Sequence, residues 1–433
     1  FFAWADLGHV HILVLSVLLN YGIGRLLEDA NERQKNKLSR VLIWSGLAGN
    51  LGILFFYKYL GFFDGVLMAI TGASFSLHQI ALPLGLSYFT FSGISYLIDV
   101  HQGVEKGEKN FLRFSNYMLM FPKLLQGPIT RFGQVKNELV NTEISWENVA
   151  IGIRRLILGL AKKILLADTM ATVANRVFQV SPERYGVVVA WTGIIAYTLQ
   201  IYFDFSGYTD MAIGIGRIFG FRLPENFNYP YISRSISEFW RRWHMTLTAW
   251  FRTYVFIPLE FLHKKQKFLR QQTNLVIVFL LTGLWHGAGW NYVISGLYFG
   301  VILAIESGSW GKTLKKVHPI LQHAYTSILI IAGWGFFALT DMNRWKPFFS
   351  ALFGFNGWSG TVNLRSLNVL AFVPMIIISV LFSTPILGNL QKKIEKNEKI
   401  GYPVSIFISL FLFFLSIAFL ISKGYTAFIY AQF

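Results

Sequence analysis

Long uninterrupted apolar runs are the feature of this sequence that most restricts its fold. They occupy residues 7–27, 187–201, 274–284, 328–339, 369–387 and 404–421. A helix needs about 20 apolar residues to cross a bilayer, and only helices and closed barrels satisfy their backbone polar groups in lipid. Because the runs are continuous rather than alternating, they predict helices, and the shorter runs predict half-helices or tilted elements. We therefore predict an all-α polytopic membrane protein with about 10–12 transmembrane helices.

Composition agrees with a membrane protein. Hydrophobic residues make up 54% of the 433 residues and charged residues only 14%, whereas soluble domains have about 25% charged residues. No linker-like or low-complexity stretch divides the chain, so residues 1–433 are predicted to form one membrane domain. The sequence begins with Phe1 rather than Met, and we expect N-terminal sequence to be missing.

The formal charge of +17 lies in short connectors between the apolar runs. The clusters include Arg33, Lys35, Lys37 and Arg40; Lys264 and Lys265; Lys312, Lys315 and Lys316; and Lys393 and Lys396. Positive connectors are typical of cytoplasmic loops and suit anionic lipid headgroups. Since apolar spans separate the clusters, we predict the bilayer as a partner and no nucleic acid. There is no cysteine, which excludes disulfides and thiolate ligands, and no zinc-type ligand spacing indicates a metal site.

Two segments between the spans combine charge with apolar periodicity. Residues 149–178 place Arg154, Arg155, Lys162 and Lys163 on one helical face, which predicts a helix in the cytoplasmic interface, either for donor binding or as a basic collar. Residues 235–259 carry an apolar stripe at helical spacing and, on another face, Arg241. The stripe comprises Trp240, Trp243, Leu247, Phe251 and Tyr254. His244 falls on this stripe, so an interfacial or re-entrant helix with a buried histidine is predicted.

His286 follows the apolar run 275–281 and is surrounded by Gly283, Gly287 and Gly289. Glycine permits a helix break and close approach of a ligand or another backbone. An ionisable side chain at this depth in a membrane is costly and usually functional. From the sequence alone, the alternative remains that His286 is a structural residue whose side chain hydrogen-bonds to a neighbouring helix.

Five motifs in order resemble the membrane-bound O-acyltransferase family, and in particular its bacterial alginate O-acetylation branch. They are FPKLLQGPI at 121–129, YFDFSGYTDMAIG at 202–214, PENFNYPY at 224–231, EFWRRWH at 238–244 and LWHGA at 284–288. The resemblance implies a ring of tilted helices with re-entrant elements around a central tunnel. It also implies that His286 is the catalytic histidine and that His244 is the second catalytic position. Further candidates for binding substrate or lining the tunnel lie in the same motifs: Trp285, Trp240, Arg241, Asp204, Asn226 and Gln126. Ion pairing of Asp204 and Asp210 with Arg217 is the competing interpretation for those carboxylates.

Acyl transfer to a hydroxyl needs a base for the hydroxyl and donors for the developing oxyanion. A neutral histidine can serve as that base. We therefore hypothesise that His286 deprotonates the acceptor hydroxyl, while His244 orients the hydroxyl or steadies the oxyanion.

The chain ends with Phe428, Tyr430 and Phe433 in the pattern Phe-x-Tyr-x-x-Phe. This terminus resembles the C-terminal motif of bacterial cell-envelope acylation systems, which implies that Tyr430 carries the acyl group transiently. The basic loop before the last span predicts that residues 424–433 are extracytoplasmic. An aromatic anchor at the membrane interface is the alternative interpretation of Tyr430.

The leading functional hypothesis is an enzyme of the bacterial inner membrane that passes an acyl group, expected to be acetyl, across the membrane to an exported polysaccharide. No bound cofactor is expected. The resemblance implies acetyl-CoA or another acyl thioester, such as an acyl carrier protein, as cytoplasmic donor, and an extracytoplasmic polysaccharide O-acetyltransferase as partner. D-alanyl transfer to teichoic acid is an alternative within the family. A secondary transporter with broken helices is an alternative from another class.

Overall fold

The computed structural model describes residues 2–72, 81–265, 269–358, 360–424 and 426–428. Within these ranges the chain is helical, and its β-pairing is limited to an isolated parallel bridge between Tyr185 and Val362. The all-α prediction is therefore confirmed. The chain forms two compact units. Unit 1 comprises Phe1–Ile153, Ala212–Pro224 and Ala249–Val255, and unit 2 comprises Arg154–Met211, Glu225–Thr248 and Phe256–Phe433. One domain over residues 1–433 stays a prediction.

The α-helices follow one another along the chain, separated by connections of different lengths. Up to residue 178 they are Phe2–Ala5, Val10–Glu32, Asn36–Leu54, Leu60–Thr71, Leu86–His101, Phe111–Leu119, Phe121–Leu124, Phe132–Val140, Trp146–Ala161 and Asp168–Phe178. After residue 178 they are Val187–Ile218, Ile236–Arg242, Met245–Phe251, Ile257–Leu262, Arg270–His286, Trp290–Glu306, Ser309–Leu314, Pro319–Ala338, Trp345–Leu352, Val373–Phe382, Pro385–Glu395 and Glu398–Lys423. π-Helical turns occur at Phe55–Tyr59, Lys162–Ala167 and Arg252–Phe256.

Several of these helices can cross a membrane. In the described ranges, five are long and apolar enough: Leu7–Glu32, Asn36–Thr71, Val187–Ile218, Pro319–Ala338 and Gly401–Ser422. A sixth candidate is the pair Leu370–Phe382 and Pro385–Gln391, which is bent by 70°. The number is below the predicted total of about 10–12, because other apolar helices stop short of the length of about 20 residues that a span needs. Helix Trp290–Glu306, for example, is apolar but has only 17 residues.

A buried amide pair joins two long helices of unit 1. Asn20, in Val10–Glu32, and Asn50, in Asn36–Leu54, exchange side-chain hydrogen bonds of 3.1 and 2.9 Å. Gly93 leaves room for this pair, since a Cβ there would lie 2.5 Å from the Asn20 amide nitrogen. Reciprocal bonding satisfies polar groups that would be costly alone in an apolar surrounding.

Helices Arg270–His286 and Trp290–Glu306 form a tightly packed hairpin in unit 2. A Cβ at Gly283 would lie 2.4 Å from the carbonyl oxygen of Tyr292 and 3.0 Å from the Cα of Gly296. Small residues at such a crossing let the two backbones touch, which is how membrane helices gain packing energy. The hairpin therefore fixes the position of the final residue of its first helix, His286.

Gly283→Ala is expected to destabilise the protein by about 1–3 kcal/mol, because the added methyl group must push two backbones apart. Gly52→Ala is the matched control, since a Cβ at Gly52 meets nothing within 4 Å. Melting temperatures of both variants in detergent check the prediction. Equal melting temperatures for the two variants would show that the hairpin does not depend on this close approach.

Residues 146–178 form one continuous helical run, and within unit 2 its residues from 154 onward pack against residues 187–211. In unit 2 the contact is close, because a Cβ at Gly159 would lie 2.5 Å from the carbonyl oxygen of Gly207. The π-helical turn Lys162–Ala167 lies within this run. The sequence predicted a helix lying in the membrane interface here, and its position relative to the bilayer stays a prediction.

Candidate active site

His286 is the last residue of helix Arg270–His286, and extended Gly287 follows it with φ −176°. The imidazole is buried and meets the rings of Trp285 and Phe337 edge-on, with centroid distances of 4.9 and 5.4 Å. Gly287 must lack a side chain, because a Cβ there would lie 2.3 Å from the Tyr292 ring. The glycine beside the histidine thus lets aromatic side chains surround the imidazole.

His286 lines a cavity of about 20 Å³ within unit 2. This volume holds roughly one water-sized group. The residues around the cavity are Trp240, Phe279, Thr282, Gly283, His286, Tyr292, Ser295, Gly296, Phe299, Trp334 and Phe337. The site is thus a small, mainly aromatic chamber with a histidine in its wall.

Trp240 is one of the residues that line this chamber. Its ring packs edge-on against Phe279 and Phe299, at 5.1 Å in each case. Its indole Nε1 is buried and has no hydrogen-bond partner in the described part of the chain. Buried polar groups are normally paired, so the unpaired N–H of this cavity-lining residue is a candidate donor to a bound group.

His244 lies at a break between helices Ile236–Arg242 and Met245–Phe251. Its φ of 45° is in the left-handed region, which few residues with a side chain adopt and which marks strain at functional sites. The sequence predicted a single helix over residues 235–259, and that prediction is wrong at this residue. The predicted burial of His244 and of its aromatic stripe is confirmed.

Asn226 holds the His244 ring in one tautomer. The Asn226 side-chain oxygen accepts hydrogen bonds from the backbone N–H of Thr246 at 3.2 Å and from its hydroxyl at 2.9 Å. Because the backbone N–H can only donate, this amide atom must be the oxygen. His244 Nδ1, 3.1 Å from the same oxygen, therefore carries the proton. The lone pair then resides on Nε2, which is buried and makes no hydrogen bond within the described residues.

The two histidines share one aromatic neighbour. The Trp285 ring lies 5.9 Å from the His244 ring and 4.9 Å from the His286 ring, measured between centroids. On its other side His244 meets the Phe205 ring edge-on at 4.7 Å. The structure thus brings His286, His244, Trp285, Trp240 and Asn226 into one region of unit 2, as the motifs predicted.

Glu306 is a buried acid that holds the start of the helix carrying Trp240, and the sequence reasoning missed it. Its buried carboxylate accepts hydrogen bonds of 2.8 Å from the backbone N–H groups of Ile236 and Ser237, and one of 2.7 Å from the Ser237 hydroxyl. A carboxylate at a helix N-terminus satisfies free N–H groups and complements the helix dipole. An acid at the end of the apolar run 292–305 was the available signal.

The two aspartates of the motif at 202–214 are ion-paired, but with different partners from the one predicted. Asp204 pairs with Lys163 at 2.7 Å, and Asp210 pairs with Lys162 at 2.6 Å and Arg155 at 2.9 Å. The Arg217 guanidinium instead donates to the Asn148 side-chain oxygen at 3.1 Å. Predicted pairing of these carboxylates is confirmed, and Arg217 as the partner is wrong.

The remaining candidates differ in their surroundings. Arg241 is exposed on its helix, and it is not among the residues that line the cavity. Gln126 is buried in unit 1. Tyr430 lies outside the described residues. In the ranges that the structure describes, no group of three or more histidine, aspartate or glutamate side chains is placed to hold a metal ion.

Comparison with known proteins identifies the family. The sequence model of the MBOAT, membrane-bound O-acyltransferase family, matches residues 105–311. A Pseudomonas putida protein named "Probable alginate O-acetylase AlgI" is 34% identical over 454 residues, which cover 100% of this chain and 92% of that protein. The chain belongs to the membrane-bound O-acyltransferase family. It is therefore a multi-pass membrane acyltransferase, and the transporter hypothesis loses its basis.

Relatives within the family carry different names. The peptidoglycan O-acetyltransferase of Helicobacter pylori is 32% identical over 83% of this chain and 73% of its own length. The teichoic acid D-alanyltransferase of Bacillus subtilis is 32% identical over 59% of this chain and 66% of its own length. Similarity to the O-acetylating members of the membrane-bound O-acyltransferase family thus extends over more of the chain.

Proposed function

We propose that this protein transfers an acetyl group from a cytoplasmic thioester, acetyl-CoA or an acyl carrier protein, toward an exported polysaccharide. The observation that carries the proposal is the small chamber lined by His286 and by Trp240, whose indole N–H has no hydrogen-bond partner among the described residues. A base and an oxyanion donor close together are what acyl transfer to a hydroxyl requires. The protein acts in the bacterial inner membrane, with its C-terminus on the outer side.

His286 acts as the base in this proposal. It takes the proton from the acceptor hydroxyl as the oxygen attacks the thioester carbonyl carbon, and a C–O bond forms. The carbonyl oxygen then becomes an oxyanion, which Trp240 Nε1–H stabilises by donating a hydrogen bond. When the intermediate collapses, the C–S bond breaks and the leaving thiolate takes the proton from His286. The products are an ester and a free thiol.

The tautomer of His244 supports one of its two hypothesised roles. With the proton on Nδ1 held by Asn226, Nε2 can accept a hydrogen bond but cannot donate one. His244 therefore suits orientation of the acceptor hydroxyl. Stabilising the oxyanion needs a donor, and Trp240 fits that role better.

The chamber favours a short, uncharged acyl group. Its volume of about 20 Å³ and its wall of large aromatic rings suit a small acyl group. A D-alanyl group carries an ammonium, which a buried site would pair with a carboxylate. The residues described around the cavity include no aspartate or glutamate. Acetyl is thus the better fit.

Tyr430 serves as the transient acyl carrier in this scheme. Its phenol oxygen is the first acceptor, and the resulting acyl-tyrosine passes the group to an extracytoplasmic polysaccharide O-acetyltransferase. The described part of the C-terminal segment supports this route, because Ala427 and Phe428 contact Lys163 in unit 2.

The test is to reconstitute the protein in liposomes with acetyl-CoA labelled in the acetyl group and to analyse its C-terminal peptide. We expect label on Tyr430 in the wild type and none in His286→Ala. Transport of unaltered acetyl-CoA or acetate into the vesicles without labelled protein or product would contradict the proposal. Label on a different side chain would retain the enzyme and reject Tyr430 as the carrier.

Trp240→Phe is expected to lower kcat by about 10²–10³-fold with little change in KM, as for loss of one oxyanion donor. Phenylalanine keeps an aromatic ring against Phe279 and Phe299 but has no N–H. Trp191→Phe is the matched control, because it also removes an indole N–H, one that bonds to the Leu352 carbonyl at 3.0 Å. Steady-state rates with labelled donor decide the matter, and equal losses in both variants would reject the role of Trp240.

A further inference from the structure

Lys163 lies in a buried ion cluster that the proposed chemistry does not use. Its ammonium lies 2.7 Å from Asp204 and 2.8 Å from Asp168, and all three side chains are largely buried. The π-helical turn Lys162–Ala167 presents two consecutive lysines to the helix Val187–Ile218, where Lys162 pairs with Asp210 and Lys163 with Asp204. Single π-helical turns of this kind are frequent at functional sites.

The third donor of this ammonium points to the end of the chain. A lysine ammonium has three N–H groups. Two face Asp204 and Asp168, and Nζ also donates to the backbone carbonyl of Ala427 at 3.3 Å. A buried ammonium with one unpaired N–H is unfavourable, so the C-terminal segment completes the coordination of Lys163.

The same segment places an aromatic ring over the cation. Lys163 Nζ lies 4.6 Å from the centroid of the Phe428 ring. Tyr208, one helical turn from Asp204 on the same span, meets that ring edge-on at 5.1 Å and 90°. A cation over an aromatic face is attracted by the ring quadrupole, more strongly where water is excluded. Lys163 therefore contacts both Ala427, through a backbone hydrogen bond, and Phe428, through the ring face. Tyr208 adds a second ring contact to Phe428.

We propose that Lys163 and Tyr208 form a docking site for the C-terminal segment and that Lys163 is a positioning residue for it. The docking rests on the contacts above. Its consequence for catalysis rests on the proposed function. Asp204 precedes Phe205, whose ring contacts His244, so the lysine that holds the terminus is paired to the span that packs against a catalytic histidine. The contacts at Ala427 and Phe428 would then fix the position from which the chain continues toward Tyr430.

The absence of native cysteine allows a direct distance measurement. Nitroxide labels are placed on Thr426→Cys and Val188→Cys, both exposed positions of unit 2, and their separation is measured by pulsed electron resonance in liposomes. We expect a narrow distance distribution in the otherwise unaltered protein. Lys163→Met should abolish the narrow component, whereas Lys162→Met, which removes the neighbouring lysine paired with Asp210, should retain it.

Phe428→Leu keeps the test decisive if Lys163→Met does not fold, because it leaves the ion cluster intact. It should also remove the narrow component, since leucine offers no π face to the ammonium. A narrow distribution that persists in Phe428→Leu or in a folded Lys163→Met protein would overturn the docking site. This readout needs no acyl transfer, so loss of docking and failure of the proposed acetyl transfer give separate results.

Discussion

Replacing His286 by glutamine is expected to lower the rate of acyl transfer by about 10²–10⁴-fold, the usual contribution of a general acid–base group. Glutamine has a similar length and can still form hydrogen bonds, so the packing against Trp285 and Phe337 is largely kept. Its amide has no basic nitrogen. The loss should fall on kcat, because the base acts on the proton in the transition state.

His323→Gln is the matched control for His286→Gln. His323 is a part-buried histidine of unit 2 whose Nδ1 lies 3.1 Å from the Ser233 carbonyl, away from the cavity-lining residues. Initial rates in liposomes with labelled thioester, together with melting temperatures, separate catalysis from folding. A folded His286→Gln protein within about tenfold of wild-type kcat would exclude His286 as the base.

Replacing Tyr430 by phenylalanine is expected to reduce acylation of the exported polymer to background. Phenylalanine keeps an aromatic ring that can anchor at the membrane interface, but it has no oxygen to receive an acyl group. Because a covalent carrier has no partial substitute, the effect should be a loss of product rather than a change in KM. Acetyl content of the polymer, measured in cells, gives the result.

Tyr425→Phe provides the control, since it removes a second tyrosine hydroxyl from the same C-terminal segment. It should leave polymer acylation close to wild type. Normal acylation in Tyr430→Phe would reject the relay and leave the aromatic anchor as the function of Tyr430. Equal losses in both variants would point to a general requirement for the segment instead of a specific hydroxyl.

The surroundings of His286 could be predicted because their signals are local in sequence. An apolar run places the histidine in the membrane, and flanking glycines indicate close packing. Gly283 and Gly287 indeed allow contact with Tyr292. Membership of the acyltransferase family followed from motif order, which requires no knowledge of contacts.

The conformation of His244 could not be predicted from periodicity. A stripe at helical spacing predicts a continuous helix, and nothing in that pattern signals a non-glycine residue with φ 45°. The break is held by Asn226, 18 residues earlier, through bonds to His244 and Thr246. Such bonds exist only once the tertiary structure has formed.

Ion-pair partners were beyond sequence reasoning for a related reason. Lys163 and Asp204 are 41 residues apart on neighbouring helices, so their pairing depends on the register of the packing. Close approach of Gly159 to Gly207 sets that register locally. The π-helical turn Lys162–Ala167 then shifts the side chains that follow it to a different face of the helix. A repeat of 3.6 residues assumes an uninterrupted α-helix and therefore cannot predict that face.

Glu306 links the structural elements that carry the two histidines. His286 ends the first helix of the glycine-packed hairpin, while Glu306 ends the second and holds the start of the helix that leads to His244. Membrane proteins respond to bilayer thickness by tilting their helices. We therefore expect a tilt of the hairpin to move both imidazoles together, with little change in their separation. A change in membrane thickness should therefore leave the distance between the two imidazoles nearly constant. Its larger effect should be on the access of substrates to the histidines.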